Sequence, residues 1–518
     1  MVCRVGRGVA VAVLVFVVGC GGTLYRAPFT CPAHGGPGWT EVATPHFIVL
    51  SDAGSRAASN IADELETIHA AFEDLSGMAL PSTPRQVERV RVVVFERAAD
   101  YLQVAPPGTA GLFKPDGNGV DQVPTLMFYG TRLTEWTTSV IQHELTHSLV
   151  HRSIVNPPLW LNEGMAEYMS SFSLDHGVAT FGKKPLRLRV LRRSPLPVPS
   201  GSDAMSAAPR RFRSPELREG YYVASWALVH VLSHASSDHR KRFRAYLRML
   251  SDGATTAEAW KAAFAEFDLT GLDAAVSAEI VAPQTQVYQG PYKARPIEHA
   301  TPRALSDAEV HLLWVALLPW NHATKKVILG DLEEADRQSP GDPEAMFWRA
   351  KVMQQFKQPA EAERLMRAAL QIKPDEPRYR GVLVAAMYEL AAYQRGGPER
   401  FAPLREPLEA FAQSAHRYRE LAAAAWLYAT LADLDHAVPL AARAVKENPT
   451  CIECIELLAT LSIKIGKPDD AVLLQERAIA LLPDGLPSAR LVERLDRYKA
   501  AASAQPSSAG ASPTPPSN

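Results

Sequence analysis

Residues 143–147 read His-Glu-Leu-Thr-His, and after fifteen intervening residues comes Glu163, within Trp-Leu-Asn-Glu-Gly-Met-Ala-Glu-Tyr. His143 and His147, four apart, share one face of a helix, so two imidazoles one turn apart can grip a single cation. Glu144 is turned about 100° around the axis and reaches a metal-bound water instead of the metal. Glu163, arriving on a second helix, supplies a third ligand. Three protein ligands leave one position open, and an open position separates a catalytic zinc from a structural one. One Zn2+ ion is expected at His143, His147 and Glu163, with Glu144 as general base.

The surrounding pattern supplies the elements that must position these groups. Residues 137–152 read as an amphipathic helix with Val140, Ile141, Leu145, Leu149 and Val150 at its apolar positions. Asn156-Pro157-Pro158 breaks it, and a new helix begins near Leu161. Helix, turn, helix is the geometry that returns a carboxylate to two upstream imidazoles. Before them, 46–51 and 90–95 are β-branched and strand-like, with helical periodicity over 55–75 between them. From 160 to about 282 the pattern is helical, interrupted by a Pro- and Ser-rich loop at 194–216.

HELTH followed by NEGMAEY resembles the gluzincin zinc peptidases, the group that contains thermolysin and the aminopeptidases with HExxH and a later Glu. WLNEG is especially similar to the aminopeptidase branch and to bacterial peptidase-MA-like proteins. The resemblance implies metal ligands at His143, His147 and Glu163 and a general base at Glu144. It also implies that Glu167 holds the far nitrogen of a ligating histidine, a role with physical sense of its own, because such an imidazole needs its other N–H fixed. Asn162 matches the Asn that precedes the ligand Glu in several relatives. The gap between His147 and Glu163 is shorter than in the better-known members. Related peptidases place a Tyr or His from a downstream helix at the oxyanion; Tyr222 is the first choice and Tyr221 the second, and both equally suit packing of their helix onto the core. Zincins also bind peptide along an edge strand, for which 125–129 is the candidate beside the plainer reading of an internal strand. A metzincin site is excluded by Val150 and Ser153, and His151 lies about 12 Å along the axis from His143, which makes it a packing or surface residue. A GxMEN-like segment that would hold a free amine is missing, which leans towards an endopeptidase.

The 518 residues suffice for two or three domains, and a formal net charge of −1 without a basic block argues against nucleic acid as a partner. Arg4 and Arg7 precede an apolar run over 8–18, too short to span a bilayer, that ends in Val17-Val18-Gly19-Cys20. This resembles the bacterial lipobox and implies a chain acylated at Cys20, anchored to a membrane by lipid and exported to the cell envelope. Gly21 instead of Asp after it points to the outer membrane. Cys451 and Cys454 form an isolated CxxC in an apolar helical context, which reads as packed thiols, with a disulfide as the alternative in an oxidising compartment.

The C-terminal third repeats. Ala437, Ala444 and Pro449 recur 34 residues later as Ala471, Ala478 and Pro483, and Ala335 and Pro340 recur at the same interval as Ala369 and Pro374. Small residues let paired helices approach, and prolines end each unit; the pattern resembles tetratricopeptide repeats. One unit is longer, with Arg395-Gly396-Gly397-Pro398 holding the insertion. Five helix pairs and a capping helix are expected. Such solenoids offer a concave surface to peptides or proteins.

The expected fold class is an α+β zincin-like metallopeptidase domain followed by an all-α tetratricopeptide-repeat solenoid. The expected order is a lipoprotein signal (1–19), a tether (20–38), the peptidase domain (39–282), a linker (283–304), the repeats with their cap (305–500) and a disordered tail (501–518). Two functions compete. One is a zinc metallopeptidase of the bacterial envelope whose repeats recruit protein substrates or partners. The other is a non-catalytic envelope scaffold that binds proteins through those repeats.

Overall fold

The computed structural model describes residues 30–75, 89–106, 109–114, 123–130, 135–154, 157–193, 197–214, 216–265, 268–297, 301–482 and 489–504. The signal region, Cys20 and the end of the tail lie outside them. The strands are β1 (Thr40–Ala43), β2 (Phe47–Ser51), β3 (Val90–Phe95), β4 (Gly111–Lys114), β5 (Thr125–Tyr129), β6 (Ser173–Asp175), β7 (Val178–Phe181), β8 (Tyr288–Pro291) and β9 (Arg303–Ala304). The helices of the N-terminal lobe are α1 (Ser55–Leu75), α2 (Ala98–Val104), α3 (Glu135–Ser153), α4 (Leu159–Met169), α5 (Leu186–Arg193), α6 (Gly201–Met205), α7 (Pro209–Arg213), α8 (Arg218–His234), α9 (Ser237–Ser251), α10 (Thr256–Ala263) and α11 (Leu269–Val281).

The main sheet has the order β4-β5-β3-β2-β1-β9, with β2, β3 and β5 parallel and the outer pairings antiparallel. Parallel strands need crossovers, which α1 and α2 provide on opposite faces. Both faces of the sheet are buried, so its strands are continuous apolar runs without polar alternation. Val49, Val92, Val94, Leu126 and Phe128 join the core that holds α1, α3, α4 and α8. Leu50, Val93, Phe95 and Met127 point the other way and join a second core.

That second core belongs to the C-terminal helices. These are α12 (Asp307–Leu317) with α13 (Lys325–Gln338), α14 (Pro343–Gln355) with α15 (Pro359–Ile372), α16 (Pro377–Tyr393) with α17 (Arg405–Ser414), α18 (Tyr418–Thr430) with α19 (Leu434–Glu447), α20 (Ile452–Lys464) with α21 (Pro468–Ala480), and a last helix α22 (Ala489–Ala504). Ala335, Ala369, Ala437, Ala444, Ala471 and Ala478 are all buried, which places the recurring small residues at the helix crossings. Trp314 of α12 packs on Phe95 of β3 with ring centroids 6.0 Å apart. The first repeat helix is thus part of the layer that covers the sheet. At the far end Arg477 of α21 reaches Glu258 of α10 at 3.2 Å, and Leu481 and Leu482 line a cleft shared with Pro157, Pro158, Trp160 and Leu250.

Several expectations need correction. Residues 125–129 form β5, which sits between β3 and β4; among the described residues the edge strand on that side is β4, whose four residues are too few to show a period. Segment 173–181 forms a hairpin (β6 and β7) inside the stretch read as helical. Segment 283–304 supplies β8, which pairs with β7, and β9, which pairs with β1, so it is woven into both sheets. Cys451 and Cys454 are joined in a disulfide and are not free packed thiols. The last helix extends to Ala504, into the segment expected to begin the tail.

Candidate metal centre

Helix α3 is built to be gripped from one side and to serve on the other. Ile141, Leu145, Leu149 and Val150 are buried in the core shared with the sheet, leaving His143, Glu144 and His147 to face the adjacent elements. Helix α4 crosses near them because Gly164 permits it: a Cβ there would fall 2.4 Å from the carbonyl oxygen of Ser225 in α8. The close α4–α8 crossing presents Asn162, Glu163 and Glu167 to the imidazoles.

The three expected ligand side chains converge. His143 Nε2 and His147 Nε2 lie 3.1 Å apart, and each is 3.6 Å from Glu163 Oε2. A tetrahedral zinc with bonds of about 2.1 Å has ligand–ligand edges of about 3.4 Å. Glu163 Oε2 is buried and accepts no hydrogen bond, which is costly for a carboxylate oxygen unless a cation satisfies it. The donor set therefore fits one zinc ion. A second group of three donors, His46, Glu66 and His69, fits poorly: its imidazoles stack face to face at 3.8 Å, so a cation in the plane of one ring lies off the plane of the other.

Neighbouring groups fix each ligand. Asn162 Oδ1 lies 3.0 Å from His147 Nδ1, and Glu167 Oε1 lies 3.2 Å from His143 Nδ1. An oxygen on each Nδ1 directs both Nε2 atoms inward. Burial alone would depress the pKa of His143, but the adjacent carboxylates of Glu163 and Glu167 overrule it and push it up to about 10. Glu163 is lowered against its burial by the two histidines. The site thus demands positive charge at its centre, as a proton or as a metal.

Sequence reasoning missed Arg187. Its Nε donates to Glu167 Oε1 at 2.5 Å and its Nη1 to Glu219 Oε2 at 2.9 Å. Against the penalty of burial, this guanidinium holds Glu167 down at about 2. It also lies 4.7 Å from the centre of the Tyr222 ring, a cation–π arrangement. Arg187 belongs to a basic run, Leu186–Arg193, that reads as a solvated surface helix. No local signal pointed to it, because its partners Glu167 and Glu219 lie 20 and 32 residues away along the chain.

Tyr222 faces His143, with the rings at 6.2 Å and 28°. Burial, helped by Glu163, raises its phenol well above the ordinary value, so it stays a protonated donor. Tyr221 turns away and packs on Phe212 at 5.2 Å. Glu144 Oε2 accepts the backbone N–H of Phe113 at 2.9 Å, which ties the expected base to the edge strand β4. That strand lies directly on α3: a Cβ at Gly111 would fall 2.7 Å from Val140. His151 lies against Phe113 at 6.4 Å between ring centres, away from the three donors.

Residues 121–282 match the family model of the Peptidase MA superfamily. The chain carries a Peptidase MA superfamily domain. Members of that superfamily are typically zinc-dependent. Residues 329–386 match the tetratricopeptide repeat, so repeats follow the Peptidase MA domain, and the C-terminal part is an all-helical solenoid of that kind. Solved structures similar to the solenoid include a thermophilic TPR protein, TTC0263, of Thermus thermophilus, at 20% identity over 38% of this chain and 96% of that one, with a TM-score of 0.29. MamA (41-end) from Desulfovibrio magneticus matches at 15% identity over 34% of this chain and 94% of that one, TM-score 0.29. YrrB, a TPR protein with an unusual peptide-binding site, matches at 13% over 37% and 89%, TM-score 0.29. None of the curated proteins matches the chain.

Proposed function

We propose that the Peptidase MA domain is a zinc-dependent peptidase, acting as an endopeptidase, and that the repeats bring it protein substrates or partners. The observation that carries this reading is the triangle of His143 Nε2, His147 Nε2 and Glu163 Oε2, with edges of 3.1, 3.6 and 3.6 Å and one oxygen left without a hydrogen-bond donor. His143, His147 and Glu163 would hold the zinc ion, which would supply Lewis acidity towards a water molecule and the scissile carbonyl. Glu144 takes a proton as attack proceeds and returns it to the leaving amine. The peptide lies along β4, the outer strand on this side of the sheet among the described residues, where strand addition supplies main-chain hydrogen bonds with little demand on side chains. Tyr222, kept protonated, donates to the developing oxyanion. Asn162 and Glu167 keep the imidazoles in the orientation these steps require.

The address rests on sequence pattern alone: the basic and apolar leader supports export, and Cys20 supports a lipid anchor in the bacterial outer membrane. Glu144→Gln tests the catalytic reading. The variant is expected to retain zinc while cleavage of a casein-like substrate falls by about 10²–10⁴-fold. Equal inertness of wild type and variant across a broad peptide library would favour the non-catalytic scaffold.

A further inference from the structure

The solenoid carries an aromatic ledge on two consecutive first helices of its pairs. Tyr388 of α16 and Trp426 of α18 meet edge to face at 5.1 Å. Phe401, from the inserted turn after α16, stacks on Tyr388 at 5.6 Å and 19°, and Arg400 lies over Phe401 at 4.8 Å. Trp426 remains 47% exposed and Tyr393, at the end of α16, 67%. Clustered exposed aromatics held on packed helices are a binding surface more often than scattered ones are. Aromatic shelves of this type take extended proline-rich segments, which lose little entropy on docking because their backbone is preordered.

The chain contains such a segment. Residues 505–518 read Gln-Pro-Ser-Ser-Ala-Gly-Ala-Ser-Pro-Thr-Pro-Pro-Ser-Asn, with Pro513, Pro515 and Pro516 clustered and no charged residue. They follow α22, and α22 is level with the ledge. Glu456 of α20 meets Arg494 of α22 at 2.6 Å, and Thr460 meets Tyr498 at 3.1 Å; both contacts advance together, so α20 and α22 run parallel. Trp426 occupies in α18 the position that Thr460 occupies in α20, 34 residues on. Trp426, Thr460 and Tyr498 therefore stand at one height across three neighbouring helices. At about 10 Å between axes, Trp426 on α18 lies about 20 Å sideways from α22 and Tyr388 on α16 about 30 Å, and Ala504 lies about 9 Å further along its axis. The nine residues from Ala504 to Pro513 span up to about 30 Å when extended.

We propose that residues 513–516 dock on the ledge of Tyr388, Phe401 and Trp426 in the same chain, so that a partner using this part of the solenoid must displace them. A tether of this length holds the segment at an effective concentration on the order of millimolar. A separate-peptide affinity of about 100 μM then suffices to keep the ledge mostly covered.

The test uses a fluorescently labelled peptide of residues 505–518 and two proteins, the full chain and a chain ending at Ala504. Anisotropy titration is expected to show saturable binding to the shortened chain and at least about tenfold weaker binding to the full chain. Trp426→Ala in the shortened chain is expected to abolish binding with the circular dichroism unchanged, and a peptide with Pro513, Pro515 and Pro516 replaced by Ala is expected not to bind. Equal affinity for both chains, no binding up to millimolar peptide, or binding indifferent to Trp426→Ala and to proline removal overturns the proposal.

Discussion

The two halves of this molecule concentrate their polar groups differently. In the lobe, Glu163, Glu167, Glu219, Arg187, His143 and His147 meet within a few ångströms, and several of them are almost wholly buried. In the solenoid, ion pairs such as Arg364–Glu361 sit largely at the surface, buried pairs such as His311–Asp331 and Glu456–Arg494 stand apart from one another in separate helix pairs, and the helix crossings are made by alanine. Buried charges are strongly destabilising once a partner is removed, whereas exposed pairs contribute about 0–1 kcal/mol. The lobe thus tolerates little change around one small volume, and the solenoid tolerates much change spread over its surface. The first arrangement suits a site that must hold donors at fixed distances; the second suits a surface read by other chains.

The sharpest way to break this contrast is Arg187→Met. It leaves Glu167 and Glu219 without their shared cation, and the lobe is expected to lose about 3–5 kcal/mol of stability, measured by chemical denaturation of the metal-free protein. A loss below about 1 kcal/mol would mean that Arg218 and His143, the other partners of Glu219 and Glu167, balance those carboxylates without Arg187. Next in size is Asn162→Ala. Removing the acceptor on His147 Nδ1 is expected to weaken zinc about 10–100-fold in a chelator competition while thermal stability hardly moves; unchanged affinity would show that the imidazole needs no external orientation. Smallest is Arg477→Ala. The Arg477–Glu258 pair between solenoid and lobe leaves 31% and 63% of the two side chains exposed, and its loss is expected to cost under about 1 kcal/mol. A larger cost would make the far end of the solenoid a structural clamp on the lobe.

The sign of the pH response follows from His143. Its pKa is raised to about 10 by Glu163 and Glu167 against its burial, so below that value a proton occupies the place zinc must take. Zinc affinity is expected to rise about tenfold per pH unit between about pH 7 and 9, because binding releases this proton. A flat profile in that window would mean that His143 is already neutral.

Much of the site's geometry was readable from residue spacing. His143, His147 and Glu163 are signalled by helical periodicity and a proline break, and each depends on local backbone geometry that sequence encodes. Helix α1 and strands β2 and β3 were equally legible, because long apolar periods override weak propensities. The solenoid was readable through its 34-residue alanine and proline repeat. What stayed hidden depends on distant partners. Arg187 looks like a surface cation until α4 and α8 bring Glu167 and Glu219 to it. Strand β4 has four residues and becomes an edge only because β5 pairs with it. Strands β8 and β9 are recruited by β7 and β1 from far along the chain, pairings that no local period announces.

The central claim is that His143, His147 and Glu163 together hold one divalent ion. Metal analysis of the purified chain, beside Glu163→Ala at equal protein concentration and after dialysis against a zinc buffer, tests it most directly. One zinc per chain in the native protein and a fall well below stoichiometry in the variant is the predicted result. Full zinc occupancy in Glu163→Ala, or none in the native chain, would contradict it.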